Sequence, residues 1–229
     1  MNEESPHKDP QITWWTENSP NMDYGDIGKL VKLREYFDKL EAEGKIGNRV
    51  ADIACGPTPA SMTLLHPTTG RKLVQVDVMN IGYDNTGNRY IRYDINDIAD
   101  AGKLSTKKAL IRAATHFGID PRLGETAAVD TMLFFDILNY VDYKAVLSNF
   151  ARYLKPGGRF IILNMPQRHP VGKIDLLSPD GASSNLALES FLSKDFEIEK
   201  MEYPWGLEED LSNTPGEDLS AVFIVARKK

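Results

Sequence analysis

The sequence predicts an α/β fold, doubly wound around a parallel sheet, with helices on both faces. Three observations predict it. Val50-Ala51-Asp52-Ile53-Ala54-Cys55-Gly56-Pro57-Thr58-Pro59 reads as a short buried strand followed by a tight turn, with a helix starting at Ala60. The near-continuous apolar run from Ala127 to Val141 fits a central strand covered on both faces. Seven strand-like runs are spread along 229 residues, enough for one sizeable domain and short for two.

Composition narrows the function classes. Hydrophobic residues make up 41% and charged residues 26%, ordinary values for a soluble domain. The net charge is −6, and basic runs are as short as Lys107-Lys108 and Arg227-Lys228-Lys229. Free nucleic acid and anionic membrane are therefore not expected partners. No apolar run approaches the ~20 residues of a membrane span. The start, Met1 to Pro6, is polar and acidic, unlike a secretory signal. A single cysteine, Cys55, allows no intrachain disulfide and fits a reducing compartment, so a cytoplasmic location is expected. His7, His66, His116 and His169 show no ligand spacing, so no metal is expected.

In chain order, residues 1–25 form a polar, Pro-rich segment whose first ten residues are expected to be disordered. Its Trp14-Trp15 pair favours folding back onto the domain. Residues 26–229 then make a single domain. Leu30, Leu33, Phe37 and Leu40 stripe a helix over 27–43, with Asp26 as its cap and Gly44 and Gly47 ending it. Lys72 to Val78 is the second strand and carries Asp77. An acid about 20 residues beyond the glycine turn suits the hydroxyls of an adenosine ribose. Gly82, Asn85, Gly87 and Asn88 supply turn chemistry, and Tyr90 to Tyr93 is the third strand. A helix over 103–118 and a loop containing Pro121 precede the apolar fourth strand. Asp142 caps a helix that runs to Leu154, Pro156 stops it, and Gly157-Gly158 reverse the chain into a fifth strand, Phe160 to Leu163. Asn164 to Asn185 is long and polar at a strand's carboxyl end, the character of a substrate lid. Ser184 caps a helix over 185–193, and strands follow at Phe196–Tyr203 and Leu219–Ala226.

The 50–59 stretch resembles motif I of the Rossmann-like methyltransferases that use S-adenosylmethionine. Their usual form is two apolar residues, an acid, an apolar residue, then Gly-x-Gly-x-Gly. Asp52 fills the acid position and Gly56 the middle glycine, while Ala54 replaces the first glycine and Thr58 the last. The Gly-Pro-Thr triplet is similar to that of small-amine N-methyltransferases. Asp94-Ile95-Asn96-Asp97-Ile98 is similar to the family's Asp-x-x-Asp-apolar segment. Leu154-Lys155-Pro156-Gly157-Gly158 before an apolar strand is the most family-like string. The likeness covers residues 48–163, and 185–229 by strand pattern.

The resemblance implies a Rossmann-like, mostly parallel seven-stranded sheet whose last strand inserts antiparallel. It implies a cofactor site of Asp52, Ala54, Gly56, Pro57, Thr58, Asp77, Val78, Asp94, Ile95, Phe135 and Asp136. There Asp94 accepts from the adenine amino group, Ile95 lies on the adenine face and Asp136 stands beside the sulfonium. Asn139 and Tyr140 would face the substrate, with Asn164 and Arg168 in the lid and Tyr24 in an amino-terminal closing segment. Catalysis would be methyl transfer to an O, N or C of a small-molecule acceptor, by a monomer or homodimer. The base would be His169 or Asp136, and a neutral amine acceptor would need none.

Two competing readings remain. Tyr140-Val141-Asp142-Tyr143-Lys144 spells the Tyr-x-x-x-Lys pair of short-chain dehydrogenases, and Asp77 suits NAD equally. Against NAD, Pro57 and Pro59 remove N–H donors that a pyrophosphate needs. The replaced glycines admit a non-catalytic module that kept the fold.

Overall fold

A computed structural model describes residues 27–56, 60–67, 70–77, 89–100, 102–118, 129–166, 177–207, 218 and 220–229. The elements are α1 (Ile27–Ala42), β1 (Arg49–Ile53), α2 (Ala60–Leu64), β2 (Lys72–Asp77) and β3 (Arg89–Arg92). A 3-10 helix (Ile95–Ala99), α3 (Leu104–Phe117), β4 (Val129–Phe135), α4 (Tyr143–Ala151) and β5 (Leu154–Asn164) follow. The chain closes with α5 (Asn185–Leu192), β6 (Phe196–Glu202) and β7 (Val222–Lys228).

The seven strands form one sheet in the order β3-β2-β1-β4-β5-β7-β6. β3, β2, β1, β4 and β5 pair in parallel, and β7 pairs antiparallel with both β5 and β6. Period-two alternation splits the core between the faces. Val50, Leu73, Leu133, Ile161 and Phe223 pack with Leu33, Phe37 and Leu40 of α1 and Leu64 of α2. Ile53, Val76, Phe134, Ile162 and Ile224 pack with Phe117 of α3, Leu147 and Phe150 of α4, and Leu188 of α5. Both faces are covered, so the central strands are apolar on both sides, as their sequences predict.

Helix ends follow their caps. Asp142 accepts from the Ala145 N–H at 3.0 Å, and Ser184 accepts from the Ala187 N–H at 3.0 Å. Gly118 closes α3 in the left-handed region at φ 73°, a conformation that suits glycine.

Two expectations need correction. Gly47 does not end α1, which stops at Ala42 with Gly44 beyond it at φ 66°. Gly47 instead lets two segments approach closely, because a Cβ there would lie 2.2 Å from the Asp130 Cβ. Nor does Pro156 stop a helix. α4 is already over at Ala151, and Pro156 lies within β5. Val129 pairs with Leu154 but Thr131 with Arg159, so Lys155 to Gly158 form a bulge with Gly157 at φ 73°. Within the expected lid segment, residues 178–182 bond to the turn after β4. The Ser178 N–H donates to Asn139 O and the Ala182 N–H to Leu138 O, both at 2.9 Å, and Ala182 is buried. Gly181 is required there, since a Cβ would lie 2.3 Å from the Asn139 carbonyl oxygen.

Candidate functional site

The site grows from the order of the strands. β1 lies between β2 and β4, so successive crossovers leave it in opposite directions. In open α/β sheets such a switch point opens a crevice beyond the strands' carboxyl ends. The residues that follow β1 therefore line the natural ligand position.

That turn is held from both sides by carboxylates. Asp52, 1% exposed on β1, accepts the Ser61 N–H of α2 through Oδ2 at 2.9 Å. Asp77, at the end of β2, accepts the Gly56 N–H through Oδ2 at 2.9 Å. The Cys55 N–H donates to Val76 O at 3.1 Å, continuing the β1–β2 ladder into the turn. Ala54 and Gly56 both take left-handed backbone, at φ 54° and φ 61°. Ala54 thus occupies a conformation that favours glycine, and the departure from the glycine pattern is stored as local strain. Among the described residues nothing lies within 4 Å of the point where a Cβ on Gly56 would sit, which leaves that side of the backbone open to close approach.

Beneath the turn lies a buried polar row that motif matching did not single out. Asp52 pairs in register with Gln75, which is fully buried between Val74 and Val76. Among the described residues, Asp52 Oδ1, the Ser61 hydroxyl and both polar atoms of the Gln75 amide lack a partner of good hydrogen-bond geometry. Burial pushes the Asp52 carboxyl up to about 6. Its Ser61 bonds oppose that rise, and the Asp77 charge adds to it. Burial also pushes the Cys55 thiol up, which keeps it protonated and unreactive. A glutamine inside an apolar strand was the signal available in the sequence, but it belongs to no motif.

Asp94 and Ile95 follow β3. Asp94 caps the 3-10 helix, its Oδ1 accepting from Asn96 N–H at 2.9 Å and from Asn96 Nδ2 at 3.1 Å. Ile95, expected on the adenine face, packs into the core cluster with Tyr93 and Ile98. Asp97 anchors the start of α3, bonding Lys103 and accepting from the Ser105 hydroxyl at 2.8 Å.

The ends of β4 and β5 hold the remaining predicted residues. Phe135 packs edge-on to Phe37 and Phe223, at 5.8 Å and 6.5 Å between ring centroids, so its side chain belongs to the core. Asp136 follows with φ 51°, its N–H donating to Leu163 O at 2.8 Å. Burial raises its carboxyl well above the usual range, and a bond from Asn139 opposes that rise. Asn139 donates from Nδ2 to Met165 O at 3.0 Å. Asn164 donates to Ala182 O and to Asn185 Oδ1, both at 3.0 Å, and Asn185 donates onward to Ser220 O at 2.7 Å. Tyr140 is buried alongside. Asp136 and Asn139 thus bond at the end of β4, while Asn164 is tied to Ala182 and Asn185. Pro57, Thr58, Val78, Tyr24, Arg168 and His169 lie outside the described residues.

With this geometry in hand, solved structures supply the comparison. The 1,6-didemethyltoxoflavin-N1-methyltransferase of Burkholderia thailandensis, with bound 1,6-didemethyltoxoflavin and S-adenosylhomocysteine, matches with a TM-score of 0.59. The match covers 95% of this chain and 85% of that one at 15% identity. The N-methyltransferase NodS of Bradyrhizobium japonicum, in complex with S-adenosylhomocysteine, matches with a TM-score of 0.59 over 96% of this chain and 99% of that one at 12% identity. The chain has the class I methyltransferase fold. An S-adenosylmethionine-dependent methyltransferase from Mesorhizobium loti carries the same fold, with a TM-score of 0.52 over 83% and 96% of the two chains at 15% identity. No protein-family model and no curated protein matches the sequence. Class I methyltransferase topology accounts for the antiparallel β7 and for the switch point beside β1. No described helix is long and apolar enough to cross a membrane.

Proposed function

We propose that the chain is an S-adenosylmethionine-dependent methyltransferase acting on a small-molecule acceptor. The observation that carries this reading is the turn after β1, at the switch point, with its open Gly56 backbone tied to Asp77. The donor set fits the cofactor. Two carboxylates, Asp77 and Asp94, follow neighbouring strands, and two prolines remove N–H groups that a pyrophosphate would want. When bound, S-adenosylmethionine supplies an electrophilic methyl group on a sulfonium. Asp77 would receive the ribose hydroxyls and Asp94 the adenine amino group, and Gly56 would allow the close approach. Asp136 stands at the acceptor end as the candidate base, and the buried network around it excludes water. The solved neighbours that hold S-adenosylhomocysteine support the same reading.

Calorimetric titration tests it. S-adenosylmethionine and S-adenosylhomocysteine are expected to bind, and NAD is not. Binding of NAD alone would move the chain to the oxidoreductases. No heat with any of the three would leave a non-catalytic module.

A further inference from the structure

α3 gathers cations in an acidic chain. It carries Lys107, Lys108 and Arg112 and no acid, while the net charge of the protein is −6. Thr106, Ala114 and Phe117 are buried and mark its inward side. At 3.6 residues per turn, Leu104, Ile111 and Thr115 then fall on one line down the outward side. Lys107 lies on one flank of that line, and Lys108 and Arg112 lie on the other. Leu104 is 65% exposed and Ile111 is 51% exposed. Lys103, at the helix start, pairs with Asp97, but Lys107, Lys108 and Arg112 have no ion-pair partner among the described residues. An apolar line between unpaired cations suits an acidic partner that brings apolar residues of its own.

We propose that the outward face of α3 docks the acidic 207–211 segment of a second copy of this chain, in a reciprocal two-fold dimer. Leu207-Glu208-Glu209-Asp210-Leu211 holds three successive acids, the longest such run in the sequence, between two apolar residues. Leu207 is 56% exposed, so one of its apolar ends is already open to a partner. The segment matches α3 in both respects: its acids answer the cations, and its leucines answer Leu104 and Ile111. The same chain does not supply it. Trp205 packs with α1 on one face of the sheet, whereas Phe117 of α3 packs on the other. Leu207 follows Trp205 by two residues, a reach of about 7 Å at full extension. The outward side of α3 lies beyond the sheet and the thickness of the helix, about 20 Å away. A two-fold axis makes the contact twice, with each copy giving its acidic segment and receiving the other's. The dimer stands apart from the methyltransferase reading and requires no cofactor.

Sedimentation velocity of the full chain across micromolar concentrations tests this. A dimer is expected, with a dissociation constant that rises about tenfold between about 50 and about 500 mM salt. Lys107→Glu with Lys108→Glu is expected to leave a monomer, and so is Glu208→Lys with Glu209→Lys. Mixing the two variants is expected to restore a heterodimer, because each now offers the charge the other needs. Thermal unfolding checks that each variant is folded. Should a charge variant fail to fold, Leu104→Ser with Ile111→Ser is expected to raise the dissociation constant of the dimer about tenfold. A wild-type chain that stays monomeric throughout would overturn the proposal. So would a dimer that survives both charge variants or the serine variant, or a mixture of charge variants that stays monomeric. A monomer that binds phosphatidylserine vesicles through Lys107 and Lys108 would also overturn it and assign the face to a lipid surface.

Discussion

Replacing Asp52 with asparagine should stabilise the protein, and more so as the pH rises. The carboxyl is buried, one oxygen holds the Ser61 N–H, and the other faces no donor of good geometry. Its folded-state value is about 6, against 3.8 for an ordinary aspartate. Because the folded value is the higher one, the stability it contributes as a neutral acid is present below about pH 4. It is lost as pH climbs through 6. The same linkage gives a penalty relative to a neutral isostere of about 3 kcal/mol at pH 7.5 and about 1 kcal/mol at pH 4.5. Asparagine keeps an oxygen for the Ser61 N–H and carries no charge to bury. Relief of repulsion on Asp77 acts in the same direction. Urea unfolding of Asp52→Asn and wild type at the two pH values measures the difference. The gain should be about 2 kcal/mol larger at pH 7.5 than at pH 4.5. A variant destabilised alike at both, or indistinguishable from wild type at both, would refute the reasoning.

Other perturbations probe different parts of the fold. Ala54→Gly relieves a left-handed alanine and should raise stability by about 1 kcal/mol in the same unfolding assay. Gly181→Ala drives a Cβ into the Asn139 carbonyl and should cost about 2 kcal/mol or more, seen as a lower Tm. Asp142→Ala removes the α4 cap and should cost about 1 kcal/mol by urea unfolding. Asp77→Asn should weaken S-adenosylhomocysteine binding by about tenfold in calorimetry, since an amide accepts one ribose hydroxyl where a carboxylate accepts two.

Much of the architecture was legible because it rests on local rules. Apolar runs at β1, β2 and β4, caps at Asp142 and Ser184, and Gly118 after α3 all stand where periodicity and turn chemistry place them. The misplacements share a cause. Gly47 and Gly157 read as generic punctuation, yet each answers a particular tertiary demand: approach to Asp130 and a bulge in β5. Such demands come from residues distant in sequence and leave no local mark. Residues 177–184 are loop, as their turn-forming residues suggest, but their hydrogen bonds to residues 138–139 leave no mark in the local sequence.

Around the candidate site, spacing singled out Asp77, and the resemblance singled out Asp52 and Asp94. The buried Gln75 paired with Asp52 was not singled out, because register across the sheet creates that pair. Phe135 and Ile95 show the opposite limit. A motif gives their place in the chain, whereas strand alternation and core packing decide which way the side chains point.

A crystal structure of the chain soaked with S-adenosylhomocysteine tests the central claim most directly. The account predicts adenosine density lying across Gly56, with the ribose hydroxyls hydrogen-bonded to Asp77 and the adenine amino group to Asp94. Density placed elsewhere on the sheet, or an Asp77 carboxylate that makes no contact with the ribose at saturating ligand, would contradict it.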